Sequence, residues 1–176
     1  TYLDNFSSGK KQEIDQAIRL LKKQLPLSHY ASLNLSRRLM DRHQVYRFHK
    51  TFDCFVSAHR GEGWGVPQME AMLMGNPMIS TNCGGVHEYL KDGEDALLIP
   101  YVLKQVENTR NKQWYTDDQE WAEIDITALR KAMRLMYENE NKRNAIAKKG
   151  QETVKELFSL KAVGTQMRER LEKIQL

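Results

Sequence analysis

Two carboxylates, Glu62 and Glu70, bracket a run in which Gly61, Gly63 and Gly65 crowd around Trp64, with Pro67 just beyond. Ionised carboxylates accept paired hydrogen bonds from neighbouring hydroxyls and repel phosphate, so the hydroxyls of a ribose or a hexose are their natural partners. Glycines at 63 and 65 let the backbone turn through positive φ and let a ligand come close to the main chain. Pro67 suits the first turn of a helix, where a missing amide hydrogen costs nothing. The amides left unpaired there, at the positive end of the helix dipole, receive a phosphate or a sugar hydroxyl. On a continuous helix, residues eight apart face directions about 80° apart. With Glu62 in the loop and Glu70 one turn into the helix, both are free to face one mouth. The segment therefore reads as a site for a polyhydroxylated, diphosphate-bearing ligand. A dinucleotide fingerprint is excluded because the register from Gly61 lacks its sixth-position glycine, and a P-loop because no Gly-Lys-Ser/Thr end follows.

The elements that must hold this loop are legible on either side of it. Residues 53–58 have the aromatic and β-branched content of a buried strand, and Val66 to Met74 form a helix closed by Gly75 and Pro77. Met78 to Ser80 is a second strand, Thr81 to Gly85 a turn, Val86 to Leu90 a short helix, and Ala96 to Ile99 a third strand. Such alternation predicts parallel β-α-β units with helices on both faces of the sheet. Upstream, Ile14, Ala17, Ile18, Leu21 and Leu25 stripe a helix over 9–25 that Pro26 stops, and Ala31 to Leu35 reads as a strand. A helix carrying Leu39, Met40, Val45, Tyr46 and Phe48 follows. Residues 101–122 carry Tyr101, Trp114, Tyr115 and Trp121 in a polar setting and read as an irregular insertion, packed under the last helices or serving as a lid or an acceptor contact. Residues 123–176 then form three helices. Asp125 caps the first, which is expected to bury Ile126, Leu129, Met133 and Met136, and Ser159 caps the last, which is expected to bury Val163, Met167 and Leu171.

A chain of 176 residues supports one domain with its own core. At 40% hydrophobic and 28% charged residues it has an ordinary globular balance, and no apolar run approaches a membrane span. Two cysteines without a paired framework point to a reducing cytoplasm. The net charge of +4 is spread along helix faces beside acidic residues, and no basic and aromatic motif for nucleic acid is visible. The chain begins at Thr1 without a leader and reads as a piece of a longer protein.

The run from Asp53 to Pro100 resembles the retaining glycosyltransferases of family four, whose second domain carries two glutamates separated by seven residues. Glu62-Gly63-Trp64-Gly65-Val66-Pro67-Gln68-Met69-Glu70 has that form, and Gly75-Asn76-Pro77, Gly84-Gly85-Val86-His87-Glu88 and Leu97-Leu98-Ile99 occupy the family's usual places. The resemblance implies an α/β fold, a parallel sheet flanked by helices that is the Rossmann-like half of a GT-B enzyme. Residues 1–176 would then be the single C-terminal, nucleotide-sugar-binding domain of a two-domain hexosyltransferase. It implies that Glu62 contacts the transferred sugar as the catalytic carboxylate and that Glu70 holds the ribose. Gly63, Trp64 and Gly65 would offer main-chain amides, Val66 would belong to the same donor-binding set, and Gly84 and Gly85 would border the pocket. No metal or other cofactor is expected. The absent N-terminal domain would hold the acceptor, leaving this piece inactive alone, and the intact enzyme would have the option of associating with a membrane.

The family's basic diphosphate clamp precedes this stretch, so Arg60 is the candidate phosphate contact, against the alternative of a loop arginine in water. His59 is weighed as a catalytic group against an ordinary loop histidine. Trp64 is given a role through its backbone only. Glu88 serves either as a dipole partner or as a ligand contact, and Cys83 is a small turn residue rather than a thiolate. Two other functions stay open: a non-catalytic nucleotide-sugar-binding subunit, and a GT-B sugar-nucleotide epimerase or hydrolase.

Overall fold

A computed structural model describes residues 8–25, 27–34, 39–107, 115, 116 and 118–174. They fall into two compact units, Thr1–Leu39 and Met40–Leu176. In the first, helix α1 spans Ser8–Gln24. The expected stop, Pro26, lies outside the described residues. Tyr30 folds back on the helix end, donating from its hydroxyl to the Leu25 carbonyl at 2.8 Å, with the Lys22 ammonium 5.3 Å from its ring centre. The strand expected at 31–35 is not found. Residues 31–34 adopt no strand and Leu35 lies outside the described residues. Apolar character suits a strand only where a neighbouring ladder takes its amides and carbonyls, and none pairs with this segment among the described residues.

The second unit opens with α2, Arg42–His49, capped by Asp41. The Gln44 amide donates to Asp41 Oδ1 at 2.8 Å, and the Asp41 amide donates to Gln44 Oε1 at 3.0 Å. This reciprocal box satisfies two of the amides that a helix start leaves orphaned. Then come β1 (Phe55–Ser57), α3 (Val66–Leu73), β2 (Met78–Thr81), a 3-10 turn (Gly84–Glu88) and β3 (Leu97–Ile99). The three strands are parallel in the order β1-β2-β3, with Val56 beside Ile79 and Ser80 beside Leu98.

Side chains alternate across the sheet, so β2 feeds two cores. On one face Met78 packs with Ala71, Met72, Val86, Tyr89 and Val154. On the other, Ile79 and Ile99 pack with Ala132, Met136 and Ile146. All four residues of β2 are buried, as a central strand covered by helices on both sides requires.

The described residues of 101–122 include regular strands where an irregular insertion was expected. Strand β4 (Tyr101–Gln105) pairs antiparallel with β5 (Glu120–Ile124). One residue, Pro100, separates β3 from β4. Four of the five β4 residues are exposed, so the apolar alternation that marks a half-buried strand is missing from the sequence. Trp114 lies outside the described residues.

The three closing helices are α4 (Ile126–Glu138), α5 (Glu140–Phe158) and α6 (Leu160–Ile174). Asp125 accepts from the amides of Thr127 and Ala128 at 2.7 and 3.0 Å, and Ser159 Oγ accepts from the Ala162 amide at 3.2 Å, as the caps predict. Two burial expectations fail. Met136 is buried and Leu129 half-buried, but Ile126 and Met133 are exposed. In α6, Val163, Met167 and Leu171 are all exposed. Periodicity reports that a helix has an apolar stripe and not what covers it; among the described residues nothing buries the stripe of α6.

His49 ends α2 inside the protein. Burial pushes its pKa below 6.5, an effect the nearby Glu70 charge partly offsets. The folded protein therefore takes up this proton less readily than the unfolded chain, so the associated stability is complete above the unfolded value and declines as the pH falls through it. Melting temperatures at about pH 7.5 and about pH 5.5 are expected to differ more in the parent than in His49→Phe. An equal drop in both proteins contradicts this.

Candidate functional site

The loop between β1 and α3 leaves the carboxyl end of β1, the side of a parallel sheet on which ligands settle. Gly65 ends it in the left-handed region, at φ 89° and ψ 47°, and no side chain caps α3. A side chain at Gly65 would be strained there and would also stand 2.5 Å from the Tyr89 hydroxyl. Gly63 is different: it is not among the positive-φ glycines, and space lies open around it.

The Gly84–Gly85 turn sits directly on this loop. The Gly85 amide donates to the Glu62 carbonyl at 3.2 Å. A Cβ on Gly84 would stand 2.2 Å from the Glu62 carbonyl oxygen, and one on Gly85 2.0 Å from that of Gly63. Only residues without side chains allow two backbones to approach so closely. Glu62, Gly63, Gly84 and Gly85 therefore meet, as the sequence expects.

A polar relay braces the same junction. Gln68 Nε2 donates to Ser57 Oγ at 3.0 Å. His59 lies with Nδ1 3.0 Å from Ser57 Oγ and Nε2 3.0 Å from the Cys83 carbonyl. A carbonyl only accepts, so Nε2 carries a hydrogen, and in the neutral ring Nδ1 is then the acceptor facing the Ser57 hydroxyl. His59 thus ties β1 to the turn before Gly84, with both ring nitrogens engaged inside the protein. Gln68 also reaches Glu62 Oε2, at a long 3.5 Å. Sequence reasoning missed Gln68. The available signal was a polar residue on the buried stripe of α3, at i to Ala71 and Met72 at i+3 and i+4.

Tyr89 was missed as well. Its hydroxyl donates to the Gly65 carbonyl at 3.0 Å, and burial, with the Glu62 charge second, pushes its pKa well up. It therefore stays a neutral donor. Its ring, that of Trp64 and that of Phe158 stand 5.6 to 5.8 Å apart in a triad, which accounts for the Trp64 side chain without a ligand. Cys83 carries a thiol whose pKa burial raises, in keeping with a turn residue.

Glu70 is half-buried on α3, and its charge is felt at His49. Gln68, which accompanies Glu62, precedes it by two residues, or about 200° of helix. Glu70 therefore leaves α3 on a different side from Gln68, and among the described residues no hydrogen bond links its side chain to the Glu62 loop. Val66 is exposed at that start. Arg60 is turned elsewhere: its guanidinium pairs with Glu123 at 2.8 Å and stacks 4.2 Å from the Trp121 ring centre. Glu88 is exposed at the end of the 3-10 turn.

A cavity of about 680 Å³ is lined by Cys54, Val56, Ile79, Met133, Tyr137 and Arg143 among others, and by none of the site residues. No group of His, Cys, Asp and Glu among the described residues is placed to hold a metal ion. No helix among them is long and apolar enough to cross a membrane, and both cysteines are free thiols.

A family model described as glycosyl transferases group 1 matches residues 10–107. No curated protein sequence matches the chain. Among solved structures, the sucrose-phosphate synthase of Thermosynechococcus elongatus is similar with a TM-score of 0.64 at 18% identity, over 97% of this chain and 36% of the synthase. HepE of Anabaena, in complex with UDP-glucose, is similar at 0.60 and 18%, over 96% of this chain and 38% of HepE. The C-terminal domain of a group 1 glycosyl transferase, LpcC of Francisella tularensis, follows at 0.52 and 20%, over 87% and 64%. The chain thus spans little more than a third of the first two. The likeness establishes the fold: a parallel sheet flanked by helices, the Rossmann-like half of a GT-B architecture.

Proposed function

The chain belongs to the group 1 glycosyl transferases, and from that premise we propose that it is the donor-binding half of a retaining, family-four hexosyltransferase. The ligand is a nucleoside diphosphate sugar. Glu62 contacts the transferred sugar and Glu70 the ribose, while the amides of Gly63, Trp64, Gly65 and Val66 face the sugar and diphosphate, bordered by Gly84 and Gly85. In transfer, an acceptor hydroxyl oxygen bonds to the anomeric carbon with configuration retained. The bond from that carbon to the diphosphate breaks, its electron pair leaves on the diphosphate, and the acceptor proton passes to an oxygen of that departing diphosphate. Charge builds on the leaving group, and fixed amides at an uncapped helix start oppose that charge without reorganising. An acceptor domain completes the enzyme, and turnover by this half alone is negligible. No bound metal is required.

The observation that carries this reading is the seating of the Gly84–Gly85 backbone on that of Glu62 and Gly63, which forms one rim at the carboxyl ends of β1 and β2 beside the start of α3. The complex of the similar HepE with UDP-glucose supports a nucleotide sugar as ligand. Arg60, engaged with Glu123 and Trp121, has to leave both before it can serve a phosphate.

Calorimetry with uridine, guanosine and adenosine diphosphate sugars tests the proposal. One base is expected to bind. Glu70→Ala should weaken both the nucleotide and the nucleotide sugar about tenfold or more, the worth of a charge-assisted hydrogen-bond pair. Glu62→Ala should mainly erase preference among sugars on the same base. Equal affinities of parent and both variants for every donor would sink the residue roles.

A further inference from the structure

The β4–β5 hairpin is where this chain adds something to the donor recess. It leaves β3 across Pro100, on the side of the sheet where β1 gives way to the Glu62 loop. It is bonded to that loop as well: the Ala122 amide donates to the Arg60 carbonyl at 2.9 Å, two residues before Glu62. The register sets Lys104 opposite Trp121 and Val102 opposite Glu123, so Lys104, Trp121 and Glu123 share one face. With Arg60, Gln105 and Glu107 they line an open cavity of about 610 Å³.

We propose that this groove binds the saccharide acceptor, holding its outer residues while a hydroxyl is presented to the sugar at Glu62. The proposal rests on the donor reading above. Four observations favour a neutral saccharide. The lining balances two cations, Arg60 and Lys104, against two anions, Glu107 and Glu123, so no net field selects a charged ligand. It offers both donors and acceptors, as a polyol demands. Trp121 supplies an indole whose orientation is fixed by the Arg60 guanidinium stacked 4.2 Å away and by Tyr115 at its edge, 6.2 Å between ring centres. Rigid aromatic surface of that kind gives contact area at little cost in side-chain entropy. The volume, finally, lies within the range of small-ligand sites. Arg60 thereby acts through Trp121 and Glu123 as a positioning residue of the groove.

The test is a titration of isotope-labelled protein with maltose, cellobiose, lactose and gentiobiose, following the Trp121 indole N–H, with and without the nucleotide sugar found by calorimetry. At least one disaccharide is expected to move that resonance along a saturating curve. Trp121→Leu should abolish the remaining saccharide shifts on the hairpin, and Lys104→Ala should weaken binding several-fold. Both should keep the parental affinity for the nucleotide sugar, which shows that they are folded. Donor binding without any saccharide-dependent shift at Trp121 overturns the proposal, as does a shift that survives in both variants. If no nucleotide sugar binds while a disaccharide still saturates Trp121, the groove stands as a saccharide site and the donor reading is what fails.

Discussion

Gly85→Ala is expected to leave a protein that melts well below its parent and has lost measurable affinity for nucleotide sugars. The new methyl would stand 2.0 Å from the Gly63 carbonyl oxygen and 3.0 Å from the Trp64 Cα. Neither atom is the end of a flexible side chain, so the two loops must separate. Overpacking typically costs about 1–3 kcal/mol, and a backbone obstacle places this change at or above the upper end. Parting the loops also removes the bond from the Gly85 amide to the Glu62 carbonyl and displaces the rim on which the donor proposal depends. Gly63→Ala is the matched control, because nothing lies within 4 Å of the added atom. Thermal melting and calorimetry on the two variants decide the matter. Similar behaviour of both would mean that the close approach does not define the recess.

Met72→Ala has the largest expected effect on stability alone. Its side chain is fully buried in the core between α3, the 3-10 turn and α5, and deleting a buried methionine costs roughly 2–5 kcal/mol, according to how far the cavity collapses. A partner mutation sharpens the test. A methyl on Gly150 of α5 would meet Met72 Cε at 3.2 Å and the Asp95 carbonyl at 3.1 Å. Gly150→Ala should therefore cost less in the Met72→Ala background than in the parent, because one of its two obstacles is gone. Denaturant unfolding of the four proteins measures the coupling; strict additivity would show that the two groups do not meet.

The reach of the sequence is clearest where local chemistry decides. Asp125 and Ser159 cap the helices they were expected to cap, and Gly65 takes the left-handed turn, because each needs only its neighbours. The same holds for the three parallel strands, whose short apolar runs alternate with helices. The segment at 31–34 and the stripe of α6 were misread because whether an apolar residue is covered depends on a partner far along the chain. The hairpin was hidden for the opposite reason: a strand exposed on both sides, as β4 is at Val102, Leu103 and Lys104, loses the alternation that marks it. At the candidate site, the sequence and its family resemblance singled out Glu62, Gly63, Gly84 and Gly85, whose backbones meet. Neither gave a hint that Gln68, Ser57 and His59 form a relay, since a hydrogen bond between residues 57, 59 and 68 leaves no period in the sequence.

The hairpin is anchored twice, covalently to β3 through Pro100 and by the Ala122–Arg60 hydrogen bond to the loop that follows β1. A third link, from the Asp125 amide to the Pro100 carbonyl at 3.0 Å, closes its base. Together with the sheet these links complete a mechanical ring, so strain entering at one point is shared around it. Thermodynamic linkage then requires reciprocity: whatever factor a guest on the hairpin applies to affinity at the Glu62 loop, a guest at that loop returns to the hairpin unchanged.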